Sequence, residues 1–305
     1  MSSSSADGSY ELYNYNPSVA AAAIFVLLFI AVTACHVYQL ARAHAWYFTC
    51  FILGGLFEVI GYIARAGAHS NTSNLSIFTI QTLFILLAPP LYAATLYMTL
   101  GRLIFYLDKE ELSSVPTRWL TVIFVAGDII SFLIQGAAKG GGILTHTTTD
   151  PSALTTGQNV IIAGLVIQLI FFTVFFLVAT AFHYRIHRSP SSKSISSCIA
   201  TDGWLHATWE TTLLALYFAS AMILVRSVYR LVEYASAGTN GSDGYLGRHE
   251  VFAYVFDALP MLLGMVVMAV WHPSRVLLLN RKVYQMDMAF NEEGNDVQMS
   301  KIYLG

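Results

Sequence analysis

Long apolar stretches recur along this chain from Ser18 to Trp271, each nearly free of charged residues. A helix needs about 20 such residues to cross a hydrocarbon layer roughly 30 Å thick. Charged residues make up only 11% of the chain, whereas an ordinary soluble domain has about 25%. A water-soluble core cannot enclose this much apolar surface, so the stretches indicate membrane spans.

The sequence predicts an all-α integral membrane protein, because backbone groups that face lipid must find hydrogen-bond partners within their own helix. The predicted spans form a seven-helix transmembrane bundle: Ser18–Leu40, Trp46–Ala66, Ile77–Phe105, Trp119–Ala138, Val160–His183, Ala207–Val232 and Val251–Trp271. This domain, residues 18–272, is expected to lie between an extracellular segment, 1–17, and a cytosolic tail, 273–305. Residues 1–17 contain no Lys or Arg, so they lack the basic start of a cleavable signal peptide.

Basic residues in the loops predict the orientation, because cytosolic loops are enriched in Lys and Arg. With the N-terminus outside, the outer loops hold only Lys139 and Arg248. The cytosolic segments then hold Arg42, Lys109, Arg118, Arg185, Arg188, Lys193, Arg275, Arg281, Lys282 and Lys301. Glycosylation sequons at Asn71, Asn74 and Asn240 also fall in the outer loops. We therefore predict an outer N-terminus and a cytosolic C-terminus.

Polar residues inside the spans carry most of the functional signal, because a charge at mid-bilayer costs about 2.5–3.5 kcal/mol on insertion scales. Four pairs of them are spaced seven residues apart, which places each pair on one face of its helix. The pairs are Glu58 and Arg65, Asp128 and Gln135, Arg226 and Glu233, and Glu250 and Asp257. Nearly all of them fall between mid-bilayer and the outer surface. We expect the four stripes to face one another around a polar cavity that opens outward.

Further polar groups are expected to line the same cavity, namely Tyr62, Gln81, Gln168 and Arg230. The expected cavity has a net charge of −2 when every group is ionised, because it holds five carboxylates (Glu58, Asp128, Glu233, Glu250 and Asp257) and three arginines (Arg65, Arg226 and Arg230). A cationic head group is therefore the better-matched guest. The alternative is structural, with paired Arg and Glu side chains that only lock the helices together.

Prolines interrupt two of the predicted spans, at Pro89 and Pro90 in the third and at Pro260 in the seventh. Each removes a backbone donor and favours a kink. Such breaks suit a hinge or a bend that lines a cavity, although a static kink is the alternative.

Other chemistry has weaker support. His183 and His187 are four residues apart, but no third ligand follows from the spacing, so we predict no metal site and no cofactor. No hydrolase or ATPase motif occurs. The run Lys139–Gly142 lacks the strand and the Lys-Ser/Thr ending of a phosphate loop, so it is predicted to be a flexible outer turn. A net charge of −2 suggests no nucleic-acid partner.

Several ordered fragments resemble the fungal RTA-like proteins, also called the lipid-translocating exporter family. They are Tyr15–Ser18, Glu58–Arg65, Ala88–Ala94, Gly101-Arg102, Asp128–Ser131 with Gln135, Arg226–Glu233, Glu250 and Tyr254–Asp257. The resemblance covers nearly everything between residues 13 and 275.

The resemblance implies an integral membrane protein of the fungal plasma membrane, linked to resistance against toxic amphiphiles and to translocation of lipids such as sphingoid long-chain bases. We therefore expect a transporter whose partner is a membrane lipid or an amphiphilic small molecule. Two alternatives remain open at this point: a seven-helix lipid sensor or receptor, and a membrane-embedded lipid hydrolase, which would need a metal cluster.

Overall fold

Among the described residues, seven helices are long and apolar enough to cross a membrane, which confirms the predicted integral membrane fold. The computed structural model describes residues 18–70, 74–144, 151–189, 208–236 and 245–276. The sequons at Asn71 and Asn240 lie outside the described residues, as do segment 1–17 and most of the tail. Within the described ranges all regular structure is helical.

The first six helices are continuous: α1 (Val19–Ala43), α2 (Thr49–Ala68), α3 (Leu75–Tyr106), α4 (Thr117–Leu144), α5 (Pro151–Arg188) and α6 (Trp209–Ser236). The seventh, α7, joins a helical turn (Glu250–Ala253), a π-helical segment (Tyr254–Ala258) and a longer helix (Leu259–Val270). Short helical turns at Trp46–Phe48 and Glu110–Leu112 lie between helices. A further turn at Tyr245–Arg248 precedes α7.

Local sequence signals account for several helix ends. The Ser18 side chain caps α1 by accepting from the Ala21 N–H, and the Asn74 side chain caps α3 by accepting from Ser76 and Ile77. His44 ends α1 in a left-handed conformation, with φ 49°.

The prediction of a flexible turn at Lys139–Gly142 is wrong, because α4 continues as helix to Leu144. Each glycine in a helix costs about 1 kcal/mol relative to alanine. Forming the first turn is the unfavourable step of helix formation. The preceding turns of α4 are already helical, so the helix continues through the glycines. On the other side of this connection α5 also begins earlier than predicted, at Pro151, since proline is well tolerated in the first turn.

Each helix packs on the next one in sequence, and α1 closes the ring against α7. Helix α3 also contacts α6 and α5, and it contributes many of the fully buried side chains: Leu96, Tyr97, Leu100, Leu103 and Ile104. Large apolar side chains on the outside are exposed, as expected for a surface in contact with lipid: Leu27, Ile63, Leu133, Leu177 and Leu214. Helix α3 therefore contacts α2, α4, α5 and α6, and its buried side chains form much of the core.

Candidate functional site: an ion-pair network joining α2, α6 and α7

Charged side chains from three helices meet in one group, here called the ion-pair network: Glu58, Arg65, Arg226, Arg230, Glu233, Glu250 and Asp257. Asp257 is its centre, since one carboxylate oxygen accepts from Arg226 Nε and the other accepts from Arg230 Nη2 at 2.6 Å. Arg226 and Asp257 are both 3% exposed. The predicted stripes on α2, α6 and α7 are thus turned toward one another.

Arg226 also contacts α3, through a main-chain group that sequence reasoning missed. Its Nη2 donates to the carbonyl oxygen of Ile85 at 2.6 Å. In an unbroken α-helix that carbonyl would accept from the residue four positions later, which here is Pro89 and has no N–H. The proline predicted as a hinge therefore leaves a buried acceptor for Arg226. The sequence could have identified Ile85 as the residue four positions before Pro89, because its carbonyl is the one that loses a helical donor.

One end of the network lies where α1, α2 and α7 begin or end. Arg65 donates from Nε to the Tyr254 hydroxyl at 3.2 Å and from Nη2 to Glu250 at 3.3 Å. The Ser18 N–H, also missed from sequence, donates to the two Glu250 oxygens at 3.0 and 2.9 Å. Glu250 therefore ties the start of α1 to α2.

Another edge of the network is partly exposed and lies on α6. Arg230 Nη1 donates to Glu233 at 2.9 Å, and the Tyr229 hydroxyl donates to the other Glu233 oxygen at 3.2 Å. The side chains of Arg230 and Glu233 are 23% and 21% exposed, unlike the central pair.

Glu58 differs from the other carboxylates of the network. It is 1% exposed, and its contact with Arg226 is an ion pair at 3.8 Å rather than a hydrogen bond. Neither oxygen has a hydrogen-bond partner in the part of the chain that the structure describes. Burying a carboxylate without hydrogen-bond donors costs free energy. Both oxygens of Glu58 are therefore able to accept a hydrogen bond from a bound molecule.

Glycines set the close approach of α2 to α3 beside Glu58. A Cβ on Gly61 would lie 2.5 Å from Ile85 Cγ1, and one on Gly54 would lie 2.8 Å from the Tyr92 ring. These are distances that real Cβ atoms do not adopt. Glycine at both positions therefore lets α2 approach α3 closely on either side of Glu58.

The π-helical segment of α7 contains Asp257 and ends just before Pro260. Its widened turn is closed by the Leu259 N–H, which donates to the Tyr254 carbonyl five residues earlier. Single π turns of this kind are frequent at functional sites. Whether Pro89, Pro90 and Pro260 act as hinges remains a prediction.

The polar stripe on α4 has other partners. Asp128 accepts from the Tyr97 hydroxyl of α3 at 2.9 Å, and Gln135 donates to Gln168 of α5 at 3.2 Å. Asp128 and Gln135 are buried, at 2% and 1% exposure. Gln81 is also buried, on α3 one turn before Ile85. The four stripes therefore divide into the ion-pair network and a second polar group of Tyr97, Asp128, Gln135 and Gln168.

Aromatic rings line the α1 side of the network. Tyr62 stacks on Phe25, Phe29 and Tyr254, with ring centroids 6.0, 5.6 and 6.0 Å apart. The Arg65 guanidinium lies 5.2 Å from the Tyr254 ring centroid. This wall offers apolar surface directly beside charge.

The weaker histidine candidates lie elsewhere. His183 and His187 contact each other at 2.9 Å between their Nε2 atoms and pack on Trp209. Among the described residues, no three His, Cys, Asp or Glu side chains come close enough together to hold a metal ion.

The comparisons with known proteins agree on one family. The family model described as "RTA1 like protein" matches residues 51–280. Protein RTM1 of Saccharomyces cerevisiae is 36% identical over 88% of this chain and 94% of that protein. The probable lipid transporter atnI of Emericella nidulans is 31% identical over 89% of this chain and 70% of that protein.

A third relative is the sphingoid long-chain base transporter RSB1 of Saccharomyces cerevisiae, strain Lalvin EC1118, which is 31% identical over 78% of this chain and 67% of that protein. No solved structure matches the chain. The family match spans α2 to α7 and includes every charged residue of the ion-pair network. The chain belongs to the RTA1-like family of fungal membrane proteins.

Proposed function

We propose that this protein moves cationic amphiphiles, of the sphingoid long-chain base type, across the plasma membrane. The relatives named as a lipid transporter and as a sphingoid long-chain base transporter support lipid movement in general. The buried Glu58 carboxylate is the observation that carries the finer proposal, because it lies inside a charged network and no described residue donates a hydrogen bond to it.

The charge of the network favours a cationic guest. It contains four carboxylates and three arginines, which leaves a net charge of −1 when all are ionised. The arginines donate to Glu233, Glu250 and Asp257. Glu58 is thus the carboxylate that an ammonium group would pair with, by a charge-assisted hydrogen bond.

The surroundings of Glu58 suit the rest of such a molecule. The aromatic wall of Phe25, Phe29, Tyr62 and Tyr254 offers rings that pack against methylene groups or a cation. In the predicted orientation this region lies in the outer half of the bilayer, and the partly exposed Arg230–Glu233 edge is its entrance. Pro89, Pro90 and Pro260 are proposed as the bends that let α3 and α7 move.

Transport of a fluorescent long-chain base between the leaflets of proteoliposomes tests the proposal. Wild-type protein accelerates the movement relative to empty vesicles. Glu58→Gln keeps the shape but removes the charge, so the rate falls about tenfold, the equivalent of one lost charge-assisted hydrogen bond. The N-acylated form of the same base has no positive charge and is moved at similar low rates by both proteins.

Matched variants separate the two polar groups. Asp128→Asn removes one charge from the second polar group and is expected to change the rate far less than Glu58→Gln. Thermal unfolding in detergent checks that both variants are folded. If vesicles with wild-type protein move the base no faster than empty ones, the proposed function is wrong; if Asp128→Asn is the more damaging change, the site lies around α4 instead.

A further inference from the structure

Two buried histidines lie near the opposite end of the bundle from Glu250. His36 of α1 is 0% exposed and His272, just after α7, is 2% exposed, and their ring centroids are 6.0 Å apart. His36 also contacts Phe51 of α2, at 4.9 Å between ring centroids. Glu58 follows Phe51 by seven residues, so it lies about 10 Å further along the α2 axis.

The hydrogen bonding of His36 defines which ring nitrogen carries its hydrogen. Its Nε2 is 3.0 Å from the carbonyl oxygen of Met265. A carbonyl only accepts, so Nε2 is the donor and the neutral ring has a bare Nδ1. That Nδ1 is buried and has no hydrogen-bond partner among the described residues. His36 therefore presents an unused acceptor.

His272 has the opposite arrangement. The Ser274 N–H donates to its Nδ1 at 3.3 Å, and the Ser274 hydroxyl is 2.6 Å from the same atom. Because Nδ1 accepts, the hydrogen of the neutral ring is on Nε2. This Nε2 is also buried and has no partner in the part of the chain that the structure describes. His272 therefore presents an unused donor.

We propose that His36 and His272 form a proton-binding site in which the two rings share a proton. The unused donor of one ring matches the unused acceptor of the other, and one bridging water is enough to join them when the ring centroids are 6.0 Å apart. Neither ring has another described group to satisfy these atoms, so the pairing removes the cost of two buried unsatisfied nitrogens.

Proton exchange through the pair balances without another reactant. A proton that arrives at His272 Nδ1 forms an N–H bond there. The Nε2–H bond of the same ring breaks as its proton passes to the bridging water, and the water gives up another of its protons to His36 Nδ1. His36 is then the cation, still donating from Nε2 to Met265, and His272 is neutral with its hydrogen on Nδ1. The new Nδ1–H donates to the Ser274 hydroxyl oxygen, and the Ser274 N–H, which had donated to the same nitrogen, loses this acceptor. One proton and one positive charge have moved from one ring to the other.

The surroundings of the pair are mostly aromatic. Phe48 packs against both rings, with centroids 5.4 Å from His36 and 4.4 Å from His272. Titratable and charged groups on neighbouring elements include Arg275 beyond His272, Tyr47 in the helical turn before α2, and Arg102 of α3, which lies 4.3 Å from the Tyr47 ring centroid.

A polar group also lies between the pair and the ion-pair network. Thr33 is on α1 one turn before His36, is 4% exposed, and has no hydrogen-bond partner for its hydroxyl among the described residues. It packs against Gly55, where any Cβ would clash with it and would lie 2.9 Å from Met265 Cε. Gly55 lies on α2 between Phe51 and Glu58. The Thr33 hydroxyl can therefore bind a water molecule on a path between the histidine pair and the ion-pair network. The coupling of proton movement along this path to lipid movement rests on the proposed function.

Nuclear magnetic resonance of the ¹⁵N-histidine protein in lipid nanodiscs tests the site without any transport assay. Two shared-proton rings titrate as a coupled pair, so His272→Gln shifts the titration midpoint of His36 by about one pH unit. His44→Asn is the matched control, because His44 is exposed and asparagine tolerates its left-handed backbone. A His36 titration curve that His272→Gln leaves unchanged overturns the proposal.

A pH gradient across proteoliposomes tests the coupling. Wild-type protein moves the long-chain base faster with a gradient than without one, and both His36→Gln and His272→Gln abolish this stimulation while His44→Asn retains it. Stimulation that survives both histidine changes overturns the coupling. Wild-type protein that moves no base at all contradicts the proposed function, and the resonance experiment then still decides whether the pair shares a proton.

Discussion

The guanidinium of Arg226 donates a hydrogen bond of 2.6 Å to the main-chain carbonyl of Ile85, the group that Pro89 leaves without its helical donor. A defect in α3 and a buried charge on α6 therefore satisfy each other. Because the same arginine binds Asp257, this contact joins α3, α6 and α7 at one point. The break that Pro89 makes in α3 and the charged residues of α6 and α7 are therefore joined through Arg226.

Removing Arg226 is expected to destabilise the protein strongly, and alanine at position 89 should reduce the damage. Arg226→Met leaves Asp257 and the Ile85 carbonyl short of donors, which lowers the free energy of unfolding by about 3–5 kcal/mol. In a Pro89→Ala background the alanine N–H serves Ile85, so the loss is smaller by about 1 kcal/mol. A double-mutant cycle of reversible unfolding in mixed micelles measures this coupling.

Pro90→Ala is the matched control for that cycle. It also restores a helical N–H, but the carbonyl that this N–H serves is that of Leu86, four residues earlier. We expect no coupling between Pro90→Ala and Arg226→Met. Equal coupling for the two prolines would show that helix straightening, and not the Ile85 carbonyl, explains the effect.

Gly61→Ala should destabilise the contact between α2 and α3. The added Cβ would lie 2.5 Å from Ile85 Cγ1 and 3.3 Å from the Ile85 nitrogen, and overpacking of this kind costs about 1–3 kcal/mol. Gly67→Ala on the same helix meets nothing within 4 Å, so it should be neutral or stabilising by up to about 1 kcal/mol. Thermal unfolding of both variants in one detergent gives the comparison, and equal melting temperatures would contradict the close-packing argument.

Much of the fold follows from the sequence, because span length and the absence of charge are properties of each helix alone. The seven-residue spacing also identifies the correct polar face on α2, α6 and α7. It fails to identify the partners of α4, since periodicity fixes a face relative to its own helix but not its rotation toward a neighbour. Asp128 therefore meets Tyr97 rather than the network.

Main-chain partners were the other gap in the sequence prediction. The Ser18 N–H and the Ile85 carbonyl are main-chain groups, so a pattern of polar side chains does not reveal them. Each becomes available through a local feature, the start of a helix at Ser18 and a proline four residues after Ile85. Only the three-dimensional arrangement shows which charged side chain each one meets.

Loss of Glu250 should loosen the start of α1. Its two oxygens accept from the Ser18 N–H at 3.0 and 2.9 Å, and a hydrogen bond to a charged group contributes about 1.5–3 kcal/mol. In Glu250→Ala the Ser18 amide should exchange with deuterium about tenfold faster or more. Glu233→Ala also removes a network carboxylate but lies on α6, so it should leave exchange at Ser18 unchanged. Equal exchange in wild type and Glu250→Ala would mean that this contact does not hold α1.

Tyr97→Phe should cost more stability than removing both partners of its hydrogen bond. The hydroxyl donates to Asp128 Oδ2 at 2.9 Å, and the other oxygen, Oδ1, already lacks a partner among the described residues. The single change leaves the whole buried carboxyl without a donor, which costs about 1–3 kcal/mol. Combining it with Asp128→Leu replaces the carboxyl by an apolar group of similar size, so most of the loss is recovered. Unfolding curves for wild type, the single variant and the double variant measure this, and a double variant less stable than Tyr97→Phe would show that Asp128 has stabilising contacts besides Tyr97.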